Sequence, residues 1–317
     1  MKYYVGIDGG GTKTAVCMAA ADSSALLNEV TGSATWREHG VSYVVENIKK
    51  VIYDFPVKTN DTIAGIALGL PTVGESVDGD RNLEAELHNA FPGIPFYLTN
   101  DVEVGWAGSL NLASGINVVA GTGSIAFGKN ESGETARCGG WSEFFSDEGS
   151  CYWIGRKVLE LFSKQSDGRI PKDELYDIIK KEFNIDNDYE SIDLIHNKYM
   201  VRRENLASLQ MLAKEAALAG SQSAKELYRE AVDELCLLVT AISDKLKFKE
   251  LPFTVSYSGG LYKSGELVLP RFFAGIEAAG GKPVIPKYEP VYGALLLAFE
   301  KYCPEGLKLL QKRLEEM

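Results

Sequence analysis

Hydrophobic and polar positions along the chain fall into two alternating rhythms. Residues 2–7 form a short apolar run that ends at Asp8, and Gly9-Gly10-Gly11 follows it. Residues 14–20 and 25–30 read as two further strands, so the pattern predicts a meander with the three glycines as its first hairpin. Val44, Val45, Ile48, Val51 and Ile52 then recur at helical spacing within 41–55. A strand over 62–70, a helix around 83–90, a strand over 95–99 and a helix opening after Asn100-Asp101 complete this half. The order predicts a mixed sheet with covering helices.

Near residue 115 the pattern restarts. Ile116, Val118 and Val119 mark a strand over 115–120, Gly121-Thr122-Gly123 a tight turn, 124–129 a second strand and 134–138 a third. Two segments that each begin strand, glycine turn, strand form a weak internal repeat, which suggests two related lobes. Residues 150–246 are mostly helical, with amphipathic runs at 154–162, 175–183, 206–218 and 224–246. A strand over 253–257 leads into Ser258-Gly259-Gly260, and helices over 291–302 and 306–314 follow. No proline- or serine-rich linker intervenes, so the boundary near residue 113 predicts a hinge rather than a tether.

Composition narrows the partners. At 317 residues the chain has room for about two domains. Apolar residues make up 45% and charged residues 24%, which excludes a disordered or fibrous protein. Acidic residues number 44 against 33 basic ones, a formal charge of −11, and no basic block exceeds a pair such as Lys49-Lys50 or Arg202-Arg203. Nucleic acid and anionic membranes are therefore not expected partners. Five cysteines (Cys17, Cys138, Cys151, Cys236, Cys303) without a CxxC suggest neither a zinc site nor a disulfide framework. The first residues are too soon interrupted for a signal peptide, and no run of about 18 apolar residues predicts a membrane span. The expectation is a soluble, acidic, cytoplasmic protein.

Five motifs carry candidate chemistry before any family is considered, the last of them Ser258-Gly259-Gly260 after a strand, where a glycine pair would let an adenosine lie against backbone. Asp8-Gly9-Gly10-Gly11-Thr12-Lys13-Thr14 follows a strand directly; glycines let backbone amides approach phosphate, and Thr12, Lys13 and Thr14 add donors. It is neither a GxxxxGK[ST] loop nor a GxGxxG opening a helix, and an ordinary glycine hairpin is the alternative. Gly121-Thr122-Gly123-Ser124 repeats that design, again with a structural turn as its alternative. Asn100-Asp101 places a carboxylate where strand meets helix, suited to a general base or to a helix cap. The stretch 138–156 gathers Gly140, Trp141, Glu143, Asp147, Glu148 and Trp153; tryptophans that stack on sugar faces and carboxylates that grip hydroxyls suit a polyol, although Trp153 and Ile154 also read as the buried start of a helix.

In this order, closed by the late Ser258-Gly259-Gly260, the motifs span nearly the whole chain. They resemble the N-acetylglucosamine kinase branch of the sugar kinase, heat-shock ATPase and actin superfamily, grouped with the BadF/BadG/BcrA/BcrD ATPases. The resemblance implies an α/β protein of two ribonuclease-H-like lobes, the actin-like ATPase fold, with an ATP and sugar cleft between them. It implies a first lobe of residues 1–113 with 291–317, a second of 114–290, and a homodimer. ATP and Mg²⁺ are the implied cofactors. Gly9 to Thr14 and Gly121 to Gly123 would be the phosphate loops, Ser258, Gly259 and Gly260 would border adenosine, and Asp8 would hold Mg²⁺. Asp101 would be the catalytic base. Thr35, Arg37, Thr72, Asn100, Asp101, Ser124, Gly140, Trp141 and Asp147 would line the sugar.

Two departures bear on the sugar. Ser142 and Ser146 stand where such kinases carry glycines, and Thr35 stands nearest to their usual asparagine. Arg37 beside it is the residue type that grips a carboxylate bidentately, and N-acetylmuramate is N-acetylglucosamine with a lactyl carboxylate on its 3-oxygen. Arg37 pairing with Glu38 or another surface acid is the alternative. The expected activity is ATP-dependent phosphorylation of the 6-hydroxyl of N-acetylglucosamine, with N-acetylmuramate also accepted. A glucosamine kinase is one alternative. Another is an ATPase that energises a partner, like the activators of 2-hydroxyacyl-CoA dehydratases; those carry a cysteine before the second phosphate loop, where this chain has Val118-Val119-Ala120.

Overall fold

The computed structural model describes residues 1–11, 13–55 and 61–317. The chain divides into two compact units, Met1–Ala113 with Ile285–Met317, and Ser114–Val284. In unit 1, β1 (Lys2–Gly9), β2 (Thr14–Ala20), β3 (Leu26–Thr31), β4 (Thr62–Leu70) and β5 (Phe96–Asn100) form one sheet in the order β3-β2-β1-β4-β5. The meander pairs antiparallel, whereas β4 joins β1, and β5 joins β4, in parallel. Helices α1 (Trp36–His39), α2 (Val41–Asp54), α3 (Val77–Ala90) and α4 (Asp101–Leu110) connect these strands.

A central strand must bury both its faces, and β1 does. Tyr3, Val5 and Ile7 join the cluster of Val44, Val45 and Ile48 from α2 with Leu83 and Leu87 from α3. On the other face Tyr4 packs its ring 5.0 Å from that of Phe299, which belongs to α12 (Pro290–Tyr302) near the end of the chain. This helix lies directly on α4: a Cβ on Gly293 would fall within the backbone of Val104 and Gly108. Helix α13 (Leu307–Glu315) follows it.

In unit 2, β6 (Gly115–Ala120), β7 (Ser124–Lys129), β8 (Thr135–Gly139), β9 (Phe253–Ser258) and β10 (Gly281–Pro283) pair in the order β10-β9-β6-β7-β8. The meander is antiparallel and the two later strands are parallel. This is the connectivity of unit 1 with β6 in the place of β1, so the repeat in the sequence is a repeat of topology. Between β8 and β9 run α5 (Cys151–Ser166), α6 (Glu174–Phe183), α7 (Glu190–Leu194), α8 (Arg203–Ser208), α9 (Gln210–Ala219) and α10 (Gln222–Leu246), and α11 (Leu269–Ala278) precedes β10. Their apolar faces share one core with Ile116, Val118 and Val255 of the sheet.

The helix expected around 83–90 begins earlier, at Val77, capped by Ser76, whose hydroxyl accepts the Gly79 amide at 3.2 Å. Its first turns carry Asp78, Asp80 and Arg81, which hide the apolar period. Helices α1 and α11 and strand β10 add elements that the hydrophobic pattern did not announce. Among the described residues no helix is long and apolar enough to cross a membrane.

Candidate active site

Parallel pairing brings the carboxyl ends of β1, β4 and β5 to one edge of the first sheet. Asp8 lies opposite Gly69, and Leu70 opposite Asn100. The residues that follow each strand therefore gather there, and this edge is where open α/β sheets bind ligands. They are Asp8, the turn after Leu70, and Asn100-Asp101.

Asn100 itself caps α4: its Oδ1 accepts the Val102 amide at 3.1 Å, while its Nδ2 donates to the Val73 carbonyl at 2.9 Å. Capping thus falls to Asn100, and Asp101 is the first helical residue, where the helix dipole favours a carboxylate. Glu103, the other acid of this turn, is engaged by Tyr97 Oη at 3.1 Å and by the Thr99 hydroxyl. Burial pushes the Asp8 carboxyl up to about 7, the charge of Asp101 adds to the rise, Lys13 opposes it and Glu289 reinforces it.

The turn after β4 is built tightly. Thr72 is left-handed, with φ +64°, a costly conformation for a β-branched residue. Among the described residues its buried hydroxyl has no hydrogen-bond partner. Its carbonyl accepts the Glu75 amide at 3.2 Å. The buried Trp36 indole donates to the Pro71 carbonyl at 3.1 Å. Thr35 shares a 2.6 Å hydrogen bond with Ser33 through their hydroxyls. Arg37 Nη1 lies 3.3 Å from Glu75 Oε2, so the acid that it pairs with is Glu75, not Glu38.

In the first glycine hairpin the Gly10 amide donates to the Lys13 carbonyl at 2.9 Å, and the Ala34 amide to the Gly10 carbonyl at 3.0 Å. Gly11 and Lys13 are exposed. Thr14 is buried and its hydroxyl donates to the Gly32 carbonyl at 2.7 Å, fixing the sheet rather than facing outward. Thr12 lies outside the described residues.

Unit 2 assembles the second set. The Gly121 and Thr122 carbonyls accept the Cys151 and Tyr152 amides of α5 at 2.9 and 3.2 Å, which ties the hairpin to that helix. Gly259, at φ +106°, passes so close to the Ala120 carbonyl that no side chain would fit, with the Gly121 nitrogen 2.9 Å from where a Cβ would stand. Ser258 Oγ accepts Asn117 Nδ2 at 3.1 Å. The late Ser258-Gly259-Gly260 and the second hairpin are therefore neighbours. Ser124 donates its amide to Asp147 Oδ1 at 3.3 Å and its hydroxyl to the Glu148 carbonyl at 2.7 Å. Asp147 is buried, left-handed at φ +64°, and paired with Arg203 Nη2. Burial moves its carboxyl upward and Arg203 opposes that. The Gly140 carbonyl accepts Arg137 Nη2 at 3.0 Å. Trp141 is exposed, as are Phe144 and Phe145.

Glu289, Glu75 and Arg203 escaped the sequence reading. Glu289-Pro290 before an apolar run is a legible helix start, but its nearness to Asp8 comes from the seating of α12. Nothing local points from Arg203 to Asp147 or from Glu75 to Arg37.

The resemblance implies Mg²⁺. Among the described residues no group of three or more His, Cys, Asp or Glu is placed to hold a metal by itself. Magnesium suits what is present, because it binds through one or two carboxylates, retains waters and shares phosphate oxygens of a nucleotide. Asp8, half-buried beside a second acid, is a carboxylate that gains from such a cation.

Known proteins resemble this chain over most of its length. An N-acetylmuramic acid/N-acetylglucosamine kinase of Clostridium acetobutylicum is 28% identical over 306 residues, covering 94% of this chain and 98% of that protein. An N-acetyl-D-glucosamine kinase of Dictyostelium discoideum is 27% identical, covering 81% of this chain and 84% of its own length. A crystal structure described as an N-acetylglucosamine kinase, from Chromobacterium violaceum, superposes with a TM-score of 0.74 at 24% identity over 94% of this chain and 99% of that one. A ROK-family glucokinase of Streptomyces griseus, solved with glucose and AMPPNP, superposes at 0.54 and 14% identity over 94% and 99%. These likenesses give both units the actin-like ATPase fold. The model of the BadF/BadG/BcrA/BcrD ATPase family matches residues 5–298, and the chain belongs to that family.

Proposed function

We propose that this protein is an ATP-dependent hexosamine kinase that phosphorylates the 6-hydroxyl of N-acetylglucosamine and also accepts N-acetylmuramate. One observation carries the reading: the parallel register of β1, β4 and β5 brings Asp8 and Asp101, at the head of α4, to the same edge of the sheet. A base and a cation-seeking acid side by side at a parallel-strand edge are what phosphoryl transfer to an alcohol requires. The kinase names of the two relatives support the same class.

In this reading Asp101 accepts the hydroxyl proton as the sugar oxygen attacks the γ-phosphorus. In unit 1 Thr72 and the Asn100 turn are assigned to the sugar, and in unit 2 Asp147 is. The hairpins Gly9–Gly11 and Gly121–Gly123 are assigned to phosphate, with the Gly10 and Gly121 amides closing their own turns, and Ser258 to Gly260 to adenosine. Asp8 would hold Mg²⁺ through water, and that ion supplies charge neutralisation on the phosphates. The rest is positioning and electrostatics. The homodimer and the cytoplasmic location stay with this proposal.

The test is ADP release from ATP and Mg²⁺ with N-acetylglucosamine, N-acetylmuramate, glucosamine and glucose, followed by phosphorus–carbon coupling in the product. Coupling to C6 of N-acetylglucosamine is the expected result. Turnover of glucosamine alone would move the reading to a glucosamine kinase, and no turnover of any sugar would end it.

A further inference from the structure

Arg37 is mounted on a firm base. Its guanidinium carbon stands 5.6 Å from the centroid of the Trp36 ring, and Trp36 is itself buried and hydrogen-bonded to Pro71. Its partner Glu75 belongs to the turn that carries Thr72 and is joined to it by the Glu75 amide on the Thr72 carbonyl. The same turn meets Asn100 through Val73, one residue from Asp101. A continuous chain of contacts therefore runs from the candidate base to the Arg37–Glu75 pair at the rim. The pair is partly exposed, with side-chain accessibilities of 47% and 30%, so its members exchange partners at little cost.

Resting on the kinase reading above, we infer that Glu75 sets the preference between neutral and acidic hexosamines. With N-acetylglucosamine in place, Glu75 keeps Arg37 neutralised. A sugar carrying a carboxylate on its 3-oxygen competes with Glu75 for the guanidinium, and the two carboxylates repel as like charges. Glu75 is thus an internal stand-in for the substrate carboxylate, and it taxes the acidic sugar while sparing the neutral one. A neutral side chain at 75 removes both the competitor and the repulsion.

The experiment measures kcat/KM for N-acetylglucosamine and for N-acetylmuramate in the wild type, Glu75→Gln, Glu75→Ala and Arg37→Ala, and in the double variant Arg37→Ala/Glu75→Gln. The inference expects the ratio of muramate to glucosamine-type turnover to rise about two- to five-fold in both Glu75 variants, the scale of an exposed ion pair. It expects that gain to vanish in the Arg37→Ala background, because the two residues act on each other. An unchanged ratio, or the same gain without Arg37, overturns it. Wild-type turnover of N-acetylglucosamine with none of N-acetylmuramate overturns it too and leaves the kinase reading standing. Failure with both sugars removes that reading, and this inference with it.

Discussion

Arg203 holds the carboxylate of Asp147 across 56 residues of sequence, and Asp147 in turn accepts the amide of Ser124 at the end of the second glycine hairpin. A candidate sugar ligand is thereby fastened to a candidate phosphate loop. Removing the guanidinium strands a buried acid. Arg203→Ala should cost about 2 kcal/mol of stability, less than a fully buried pair because Arg203 is partly exposed. The upward push of burial on Asp147 would then be opposed by the Ser124 amide without the larger help of Arg203, so the acid limb of kcat/KM for the sugar should move to higher pH, with partial rescue by Arg203→Lys. An acid limb that stays in place would separate Asp147 from sugar binding.

Asp101→Asn removes a proton acceptor while keeping the shape of the helix head. It should lower kcat by at least ~10²-fold with little change in nucleotide affinity, read by single-turnover kinetics and by titration with a nucleotide analogue. Near-normal turnover would take Asp101 out of the reaction.

Asp8 predicts an opposite pair of effects. Its carboxyl is raised from 3.8 to about 7, chiefly by burial. The folded state therefore binds a proton there that the unfolded chain has released, and this stability is full below about pH 4 and is lost as pH rises through about 7. Metal-free Asp8→Asn has no such loss, so between those limits it should gain on the wild type by as much as ~4 kcal/mol, measured by urea unfolding in a chelator. It should also be inactive. A stability difference that is flat with pH would refute the proton-seeking state of Asp8.

Gly293→Ala tests the packing of unit 1. The added methyl would enter the backbone of Val104 and Gly108, and such overpacking costs about 3 kcal/mol or more where neither helix can retreat. Hydrogen exchange should show β1 and β4 losing protection while β6 and β9 keep theirs. Uniform loss, or none, would contradict the assignment of α12 to unit 1.

Much of this was legible because strands and chemistry share their ends. The apolar run 2–7 stops at Asp8, and the run 95–99 stops at Asn100-Asp101, so each motif marks the edge where its strand finishes. The two glycine hairpins were legible for the same reason, each lying between strands of clear composition. What was hidden has physical causes. Trp36–His39 is a single turn ended by Gly40 at φ +89°, too short to show a period. The three-residue β10 earns its place by pairing with β9, not by its own composition. Glu75, Arg203 and Glu289 gain their meaning from partners brought near by tertiary packing, and no local spacing encodes that.

The helix that backs the first sheet has a consequence for biosynthesis. Because α12 belongs with β1 and α4, a ribosome must finish the whole of residues 114–284 before the N-terminal sheet receives its second cover. During that interval Tyr4, Cys17, Ala67 and Trp106, all sealed in the finished molecule, lack the residues of the closing segment. The central unit, made from one uninterrupted stretch, can complete its core first. Nascent chains halted before residue 290 should therefore engage chaperones through their earliest residues, even though those residues left the ribosome first.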